Sequence, residues 1–299
     1  MRLAALAATA FLATTATAQN DFADVTIEST PISDNVYFLS GAGGNMGLVI
    51  GDRHAFLIDD QYAPLAERIV EKIAEITDRP LTFVINTHWH GDHSGGNAGL
   101  TAAGVIVVAH ENVYRRMGAK QVIEFFQRET PPSPSAALPV VTFTRDIALQ
   151  LGGETVQAMH VPNAHTDGDS VVFLPEQNIL HTGDIFFNTL YPFIDVDSGG
   201  GIIGMIAAVT MLLELVDDDT TIIPGHGPIA SREDLLRYRD FLATVAERVS
   251  SAIDAGKSLA DIVAAKPTAE FDATLNANGF LPPDRWVTMI HRDLSRPVH

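Results

Sequence analysis

Leu81-Thr82-Phe83-Val84-Ile85-Asn86 runs directly into Thr87-His88-Trp89-His90-Gly91-Asp92-His93, so an apolar strand-like segment ends in three imidazoles and a carboxylate within six consecutive positions. At the end of an extended segment His88 and His90, two residues apart, share one face. Gly91 lets the chain turn and carries Asp92 and His93 towards a second position. Donors at this density read as a metal site, and two positions mean that one segment can serve two ions. An exposed polar loop would need four ligand-type side chains to gather by accident, and the rest of the chain weakens that reading further.

Outward from this stretch, short strand-like runs bounded by Gly, Asn or Asp fall at residues 47–50, 55–59, 81–86 and 105–109. Between them residues 64–76 carry Leu65, Ile69, Ile73 and Ile76 at helical spacing. The second half repeats the scheme with strands at 147–151, 155–161, 170–174, 179–182 and 221–224 and an apolar helix near 202–216. Two sheets, each covered by helices, bury both sets of strands, which predicts an α/β protein built as a four-layer αββα sandwich. No internal repeat is detectable. The stretch 130–139, with four prolines, is expected to be an irregular loop, a connector rather than a lid. From Ser231, an N-cap with Asp234 three residues on, Leu235, Tyr238, Leu242, Val245 and Val249 predict a long amphipathic helix. Pro267 and Pro282-Pro283 break the C-terminal segment into short pieces, which Trp286 and Met289 pack back onto the body.

The chain opens with Met1-Arg2, an apolar stretch from Leu3 to Leu12, and Ala16-Thr17-Ala18 before Gln19. A charged start, a short apolar core and small residues at a cleavage point make residues 1–18 a signal peptide cut after Ala18. The apolar stretch is shorter than the ~20 residues of a spanning helix. The expected mature protein, residues 19–299, is one domain with a helical C-terminal segment from about 231. It is periplasmic or secreted, without stable membrane insertion. Without residues 1–18 it keeps 281 residues and, Arg2 being the only charge lost, a net charge of −19. With 19 Lys+Arg against 37 Asp+Glu, nucleic-acid partners and nuclease activity are disfavoured, because phosphate backbones are bound by cations. The 46% hydrophobic content supports a well-buried core. No cysteine is present, so disulfides are excluded and any metal ligand must be His, Asp or Glu.

Three further ligand candidates sit at the ends of strand-like runs: His165 in Ala164-His-Thr-Asp-Gly168, Asp184 in His181-Thr-Gly-Asp184, and His226 in Pro224-Gly-His-Gly227. Loops at one edge of a sheet converge, so such residues can meet. With these residues in order, the chain resembles the metallo-β-lactamase superfamily from about Val36 to His226, through His-x-His-x-Asp-His followed by His-Thr, Gly-Asp and Gly-His motifs. The resemblance implies that His88, His90 and His165 hold a first zinc ion, Asp92, His93 and His226 a second, and that Asp184 bridges both. Zinc is expected over iron because the di-iron oxidoreductases of that superfamily carry Glu where this chain has His90. A nitrogen-rich, thiolate-free site agrees, while leaving manganese, iron and cobalt open.

Two zinc ions ~3.5–4 Å apart lower the pKa of a shared water towards ~7, so a metal-bound hydroxide is the expected nucleophile. Asp92 orients it, and Asp92 or a metal-bound water protonates the leaving group. Two Zn²⁺ with Asp92, Asp184 and hydroxide sum to a formal +1, which favours an anionic small-molecule substrate. Asp59, at the end of its strand, resembles the family's carboxylate beneath the ligand loop, whereas His54, His110 and His181 are expected outside the ligand set.

Departures from the family pattern narrow the activity. Pro162-Asn163-Ala164 replaces the usual Pro-Gly before the third histidine, and Asp184 stands where one β-lactamase subgroup has Cys. No Lys or Arg follows between Ile185 and Ile194, where that subgroup grips the drug carboxylate. An Asp at this place resembles lactonases, thioesterases of the glyoxalase II kind and phosphodiesterases. Export argues against a cytosolic glutathione thioester. The expected activity is hydrolysis of a β-lactam-like cyclic amide or a lactone, with a phosphodiesterase or a non-catalytic metal-binding scaffold as the alternatives. Residues 188–201 should line the cleft, with Asn188 or Tyr191 in the place of the missing Lys or, equally, in packing. Oligomeric state is not legible.

Overall fold

The computed structural model describes residues 22–275 and 281–296; the expected signal peptide lies outside the described residues. Nine strands precede residue 145: β1 Glu28–Pro31, β2 Val36–Ser40, β3 Met46–Ile50, β4 Ala55–Ile58, β5 Leu81–Asn86, β6 Ile106–His110, β7 Gln121–Ile123, β8 Arg128–Thr130 and β9 Val141–Phe143. Five come after it: β10 Asp146–Gln150, β11 Thr155–His160, β12 Ser170–Leu174, β13 Ile179–His181 and β14 Thr221–Ile223. The first sheet has the order β1-β2-β3-β4-β5-β6-β9 and the second β10-β11-β12-β13-β14, while β7 and β8 form a separate hairpin.

Strand alternation divides the side chains into layers, because successive residues of a strand face opposite ways. Val49, Phe56, Ile58, Ile85 and Val108 of the first sheet meet Val156, Ala158, Val172, Ile179 and Ile223 of the second in an inner core. Their neighbours Leu48, Leu57, Val84 and Val107 pack outward with Ile69 and Ile73 of α1 (Ala66–Ile76). On the far side Val171, Leu180 and Ile222 pack with other helices. These are α5 (Ile202–Leu215), α6 (Arg232–Asp254) and, after the short α7 (Leu259–Ala264) and α8 (Asp272–Leu275), α9 (Pro283–Leu294). The expected αββα sandwich is thus the observed fold.

Strand direction places the functional edge. β4, β5, β6 and β9 run parallel, as do β13 and β14. Parallel strands need crossovers, here α1 after β4 and α2 (Gly91–Ser94) with α3 (Asn97–Ala102) after β5. The loops leaving β4, β5, β13 and β14 therefore emerge at one edge, where ligand sites of parallel sheets form. Asp59 ends β4 in a left-handed conformation at φ 59°, so the strand itself stops at Ile58, one residue short of the apolar run's predicted end.

Ser231 caps α6 as expected: the Asp234 amide donates to Ser231 Oγ and the Ser231 amide donates to Asp234 Oδ2. Trp286 is buried and donates from Nε1 to the Pro192 carbonyl at 2.8 Å, and Met289 is buried beside it. Pro283 opens α9 rather than interrupting a helix, since a first-turn residue needs no N–H partner. The proline-rich stretch is not wholly irregular. Residues Ser135–Ala137 form a 3-10 turn, docked by Asn97 Nδ2 donating to the Ala137 carbonyl at 2.9 Å. Sequence periodicity misses the β7–β8 hairpin and the one-turn helix that Gly91 opens, both too short to show a period.

Candidate metal centre

All seven predicted ligand side chains meet at this edge. The ligand atoms of His88, His90, His165 and Asp184 lie within 4.8 Å of one another, and so do those of Asp92, His93 and His226. His90 Nδ1 is 3.1 Å from His88 Nε2 and 2.9 Å from His165 Nε2. Asp184 Oδ2 stands 3.7 Å from His88 Nε2 and 3.5 Å from His165 Nε2.

The protonation of these nitrogens is set at the opposite end of each ring. His165 Nδ1 donates to the Phe193 carbonyl at 2.7 Å, and His90 Nε2 donates to the buried Asp195 carboxylate at 2.9 Å. Thr87 Oγ1 gives its proton to Asp59 at 2.7 Å and thereby accepts from His88 Nδ1 at 3.1 Å. Each outer nitrogen holds its ring proton, so each inner nitrogen presents a lone pair. Burial lowers the His88 pKa well below the usual imidazole value and brings His165 down to about 4, which keeps both rings neutral. Three lone pairs and a carboxylate oxygen facing one point repel unless a cation lies among them.

In the second group His93 is anchored in the same way, while against the lowering effect of burial the nearby carboxylates raise its pKa. His93 Nδ1 donates to Asp59 Oδ2 at 2.8 Å and turns Nε2 inward, 3.0 Å from Asp184 Oδ1 and 3.6 Å from Asp92 Oδ2. His226 Nε2 is 3.3 Å from both His93 Nε2 and Asp92 Oδ2, and 3.5 Å from Asp184 Oδ1. Asp184 thus offers Oδ2 to one group and Oδ1 to the other. Its Oδ1 is buried without a hydrogen bond, an orphaned acceptor that a cation would satisfy. A tetrahedrally held divalent ion with bonds of about 2.1 Å separates its donors by roughly 3.4 Å, and the observed spacings bracket that value. The residues present fit metal ions.

Local packing holds the ligands in place. Asp59, fully buried, also accepts from Thr87 N at 2.7 Å and so fixes the start of the histidine loop. Asp169 Oδ2 accepts from His165 N at 2.7 Å and Thr166 N at 2.9 Å, closing the loop that Pro162-Asn163-Ala164 opens. Asn45 Nδ2 donates to the Pro224 and Gly227 carbonyls on either side of His226, at 2.8 Å each. A Cβ on Gly44 would lie 2.1 Å from His93 Cε1, so glycine there lets the backbone seat the ring. His54 and His181 lie outside the ligand set, as expected. His110 caps α4 (Glu111–Met117) and stacks on His160 at 3.6 Å.

Tyr191 and Asn188, expected as cleft residues or as packing, are packing residues. Tyr191 is buried, with its hydroxyl donating to Asp272 at 2.7 Å, because its ring fills the apolar layer under Trp286. Asn188 donates to the Pro228 carbonyl at 3.0 Å and its amide to His226 O at 2.9 Å, holding the His226 loop. Neither lines the cleft. A cavity of about 750 Å³ reaches Asp92, Asp184 and His226 and is otherwise walled mainly by apolar side chains, among them Trp89, Met117, Phe126 and Phe193. Pro131 and Pro134 of the proline-rich stretch belong to that wall. Asp195 and the Phe193 carbonyl, the partners of His90 and His165, are not foreseen from the sequence. Only the run of glycines after Asp195 signals a shaped loop there.

An αββα sandwich with paired His/Asp groups at one edge defines a metal-binding class of protein. The chain belongs to the metallo-beta-lactamase superfamily, whose family model matches residues 39–226. It is 24% identical over 217 residues to a metallo-beta-lactamase type 2 of Bacteroides fragilis, covering 69% of this chain and 82% of that protein. It is 28% identical over 218 residues to a hydroxyacylglutathione hydrolase of a Polaromonas species, covering 71% and 74%. A solved metallo-beta-lactamase from Pontibacter korlensis superposes with a TM-score of 0.61 at 23% identity, covering 73% of this chain and 99% of that one, a likeness of fold.

Replacing Gly44 with Ala is expected to push the pinned His93 ring and destabilise the metal-free protein by about 1–3 kcal/mol, read by denaturant unfolding. A second prediction concerns protonation. Burial lowers the His226 pKa, but the Asp184 and Asp92 carboxylates outweigh it and lift it to about 9. In the metal-free protein His226 should therefore titrate near 9 by NMR. Its contribution to stability is complete below its ordinary value near 6.5 and lost as pH rises through about 9. A His226 titration at or below 6.5 contradicts this.

Proposed function

We propose that this superfamily hydrolase is a dinuclear zinc enzyme acting on a strained or activated carbonyl, foremost a β-lactam-like cyclic amide or a lactone. The observation that carries the reading is the convergence of the inner imidazole nitrogens of His88, His90 and His165 with one oxygen of Asp184, whose other oxygen faces the second group. His88, His90, His165 and Asp184 would hold one ion, and Asp92, His93, His226 and Asp184 the other. A nitrogen-rich, thiolate-free donor set supports zinc. Two zinc ions, when bound, supply a water acidified towards pH ~7 and a Lewis acid for the carbonyl oxygen.

The protein's own groups do the rest. Asp195, Thr87 and the Phe193 carbonyl hold the imidazole tautomers, and Asp59 does so for His93. Asp92 is the one partly exposed carboxylate of the site and lines the cleft, so it is placed to orient an attacking water and return a proton to the leaving group. Burial raises its pKa, but His93 and His226 outweigh that and hold it well below the usual carboxylate range, so it stays an acceptor at neutral pH. The apolar wall of the cleft supports a substrate with an apolar body and limits water at the reacting group.

The reading extends to place and extent: a chain exported by cleavage after Ala18, working outside the cytoplasm as one domain over residues 19–299. Among the described residues no helix is long and apolar enough to cross a membrane. N-terminal sequencing of the mature protein decides the cleavage point.

Protein purified with zinc should contain about two zinc ions per chain by elemental analysis. It should lose hydrolysis of a chromogenic cephalosporin or an acyl-homoserine lactone on chelation and regain it with zinc. Faster turnover of bis-p-nitrophenyl phosphate than of either would replace the acyl reading with a phosphodiesterase, and full zinc loading without turnover of any would favour a scaffold. Asp195→Asn should weaken binding of the zinc held by His88, His90 and His165 roughly 10- to 100-fold in chelator competition, because the His90 tautomer loses its anchor. An unchanged affinity would remove Asp195 from the metal centre.

A further inference from the structure

We infer that Arg128 is a specificity-determining residue of the cleft, binding a carboxylate on the substrate remote from the scissile bond. Two cationic side chains line the cleft, Arg116 and Arg128. Arg116 is occupied: its guanidinium forks onto Asp167 at 2.8 and 3.2 Å and also donates to Gln121 Oε1 at 3.2 Å. Arg128 has no carboxylate within ion-pair distance among the described residues, in a chain with 37 acidic side chains against 19 basic ones. Most of the other arginines are tied down, as Arg68, Arg115, Arg237, Arg248 and Arg292 illustrate. A guanidinium without a carboxylate at the cleft is therefore an exception to the pattern of the surface.

The hairpin aims it there. β7 and β8 pair antiparallel with Ile123 opposite Arg128 and Gln121 opposite Thr130. Side chains alternate along such strands, and the alternation separates the two faces cleanly. Gln121, Ile123, Arg128 and Thr130 all line the cleft, whereas Val122 is exposed and Glu129 turns away to pair with Lys120 at 2.8 Å. Gln127, in a left-handed conformation at φ 51°, makes the turn that sets this register. The hairpin is braced from behind by α9, where Arg292 bonds Glu124 at 2.5 Å and Arg285 lies over the Phe125 ring at 4.7 Å. Arg128 thus stands on a held strand, above the apolar wall formed by Ile123 and Phe126.

A single planar guanidinium matches one carboxylate as a two-pronged partner, and Thr130, two residues along the same strand, lines the same cleft. A phosphate dianion would call for a second free cation, and Arg116 is committed to Asp167. The substrate class this selects has an apolar body, a hydrolysable carbonyl and a carboxylate at its far end. The hydrolysable carbonyl rests on the proposed function; the carboxylate does not, so the two can fail separately.

Zinc-loaded protein is titrated by calorimetry with 4-phenylbutyrate and with its uncharged amide. Arg128→Ala should lower the affinity ratio of acid to amide about 10-fold, the size of a lost charge-assisted hydrogen bond. Arg128→Lys should recover part of the ratio, since an ammonium restores the charge but not the fork. Unfolding temperature should not move, because Arg128 is exposed. An equal loss for both probes, or no loss for either, overturns the assignment, the latter being the result if the acid binds only at zinc. In kinetics, the ratio of kcat/KM for a chromogenic cephalosporin whose acyl side chain ends in a carboxylate to that for the same compound with this side-chain carboxylate esterified should fall by the same factor. A wild-type enzyme that cleaves neither overturns the β-lactam reading, and the calorimetric ratio then decides on Arg128 alone.

Discussion

The carboxylate of Asp59 is the constraint around which this edge of the sandwich is arranged. It is fully buried and takes three donors: the Thr87 amide, the Thr87 hydroxyl and His93 Nδ1. A buried carboxylate is costly unless hydrogen-bonded, so the donors cannot wander, and neither can the side chains they carry. Thr87 in turn accepts from His88, so one carboxylate sets the tautomers of two histidines in different groups. The left-handed φ of 59° at Asp59 is the local strain that turns the carboxylate under the ligand loop instead of continuing β4.

From that point the geometry propagates through strand direction. β4 and β5 are parallel neighbours, so the ends carrying Asp59 and Thr87 lie side by side, with Asp59 N bonded to the Ile85 carbonyl at 2.9 Å. β13 and β14 are parallel in the other sheet and deliver Asp184 and His226 by the same logic. Asn45 joins the sheets: its amide bonds the Gly225 carbonyl at 2.8 Å, and its side chain spans the His226 loop. The seven ligand candidates meet because both sheets open their parallel ends to the same side.

Much of this is legible in the sequence, for reasons that differ by residue. The alternation of Phe56 with Leu57, or Ile222 with Ile223, is a direct record of a strand buried on both faces. His88, His90, Asp92 and His93 advertise themselves by density, and His165, Asp184 and His226 by strand ends flanked with Gly and by family order. Asp195 is not legible, because a carboxylate 105 residues from His90 has no spacing that betrays it; only the fold makes it a neighbour. Tyr191 and Asn188 leave two readings open in the sequence, cleft lining and packing. Each lies in a segment close to the site, yet the ring of one and the amide of the other turn into the body, and proximity in sequence does not report side-chain direction. The β7–β8 hairpin escapes because three-residue strands carry too few alternations to be distinguished from a loop.

The hairpin also changes how charge in the cleft is understood. A chain with 37 acidic and 19 basic residues should repel anionic ligands at long range, yet solvent ions screen such fields beyond ~8 Å at physiological salt. Inside the cleft the local inventory governs. Asp92 and Asp184 are the acidic groups lining it, and both belong to the metal groups, while Arg116 is neutralised by Asp167. With the proposed zinc ions in place, the acidic lining is more than offset, and Arg128 adds a second positive pole on the hairpin. An apolar wall between two positive poles selects for a ligand negative at a distance from its reactive carbonyl. The subgroup lysine after Asp184 is thus absent without leaving the cleft cation-poor, because a different element, inserted between β6 and β9, supplies the charge.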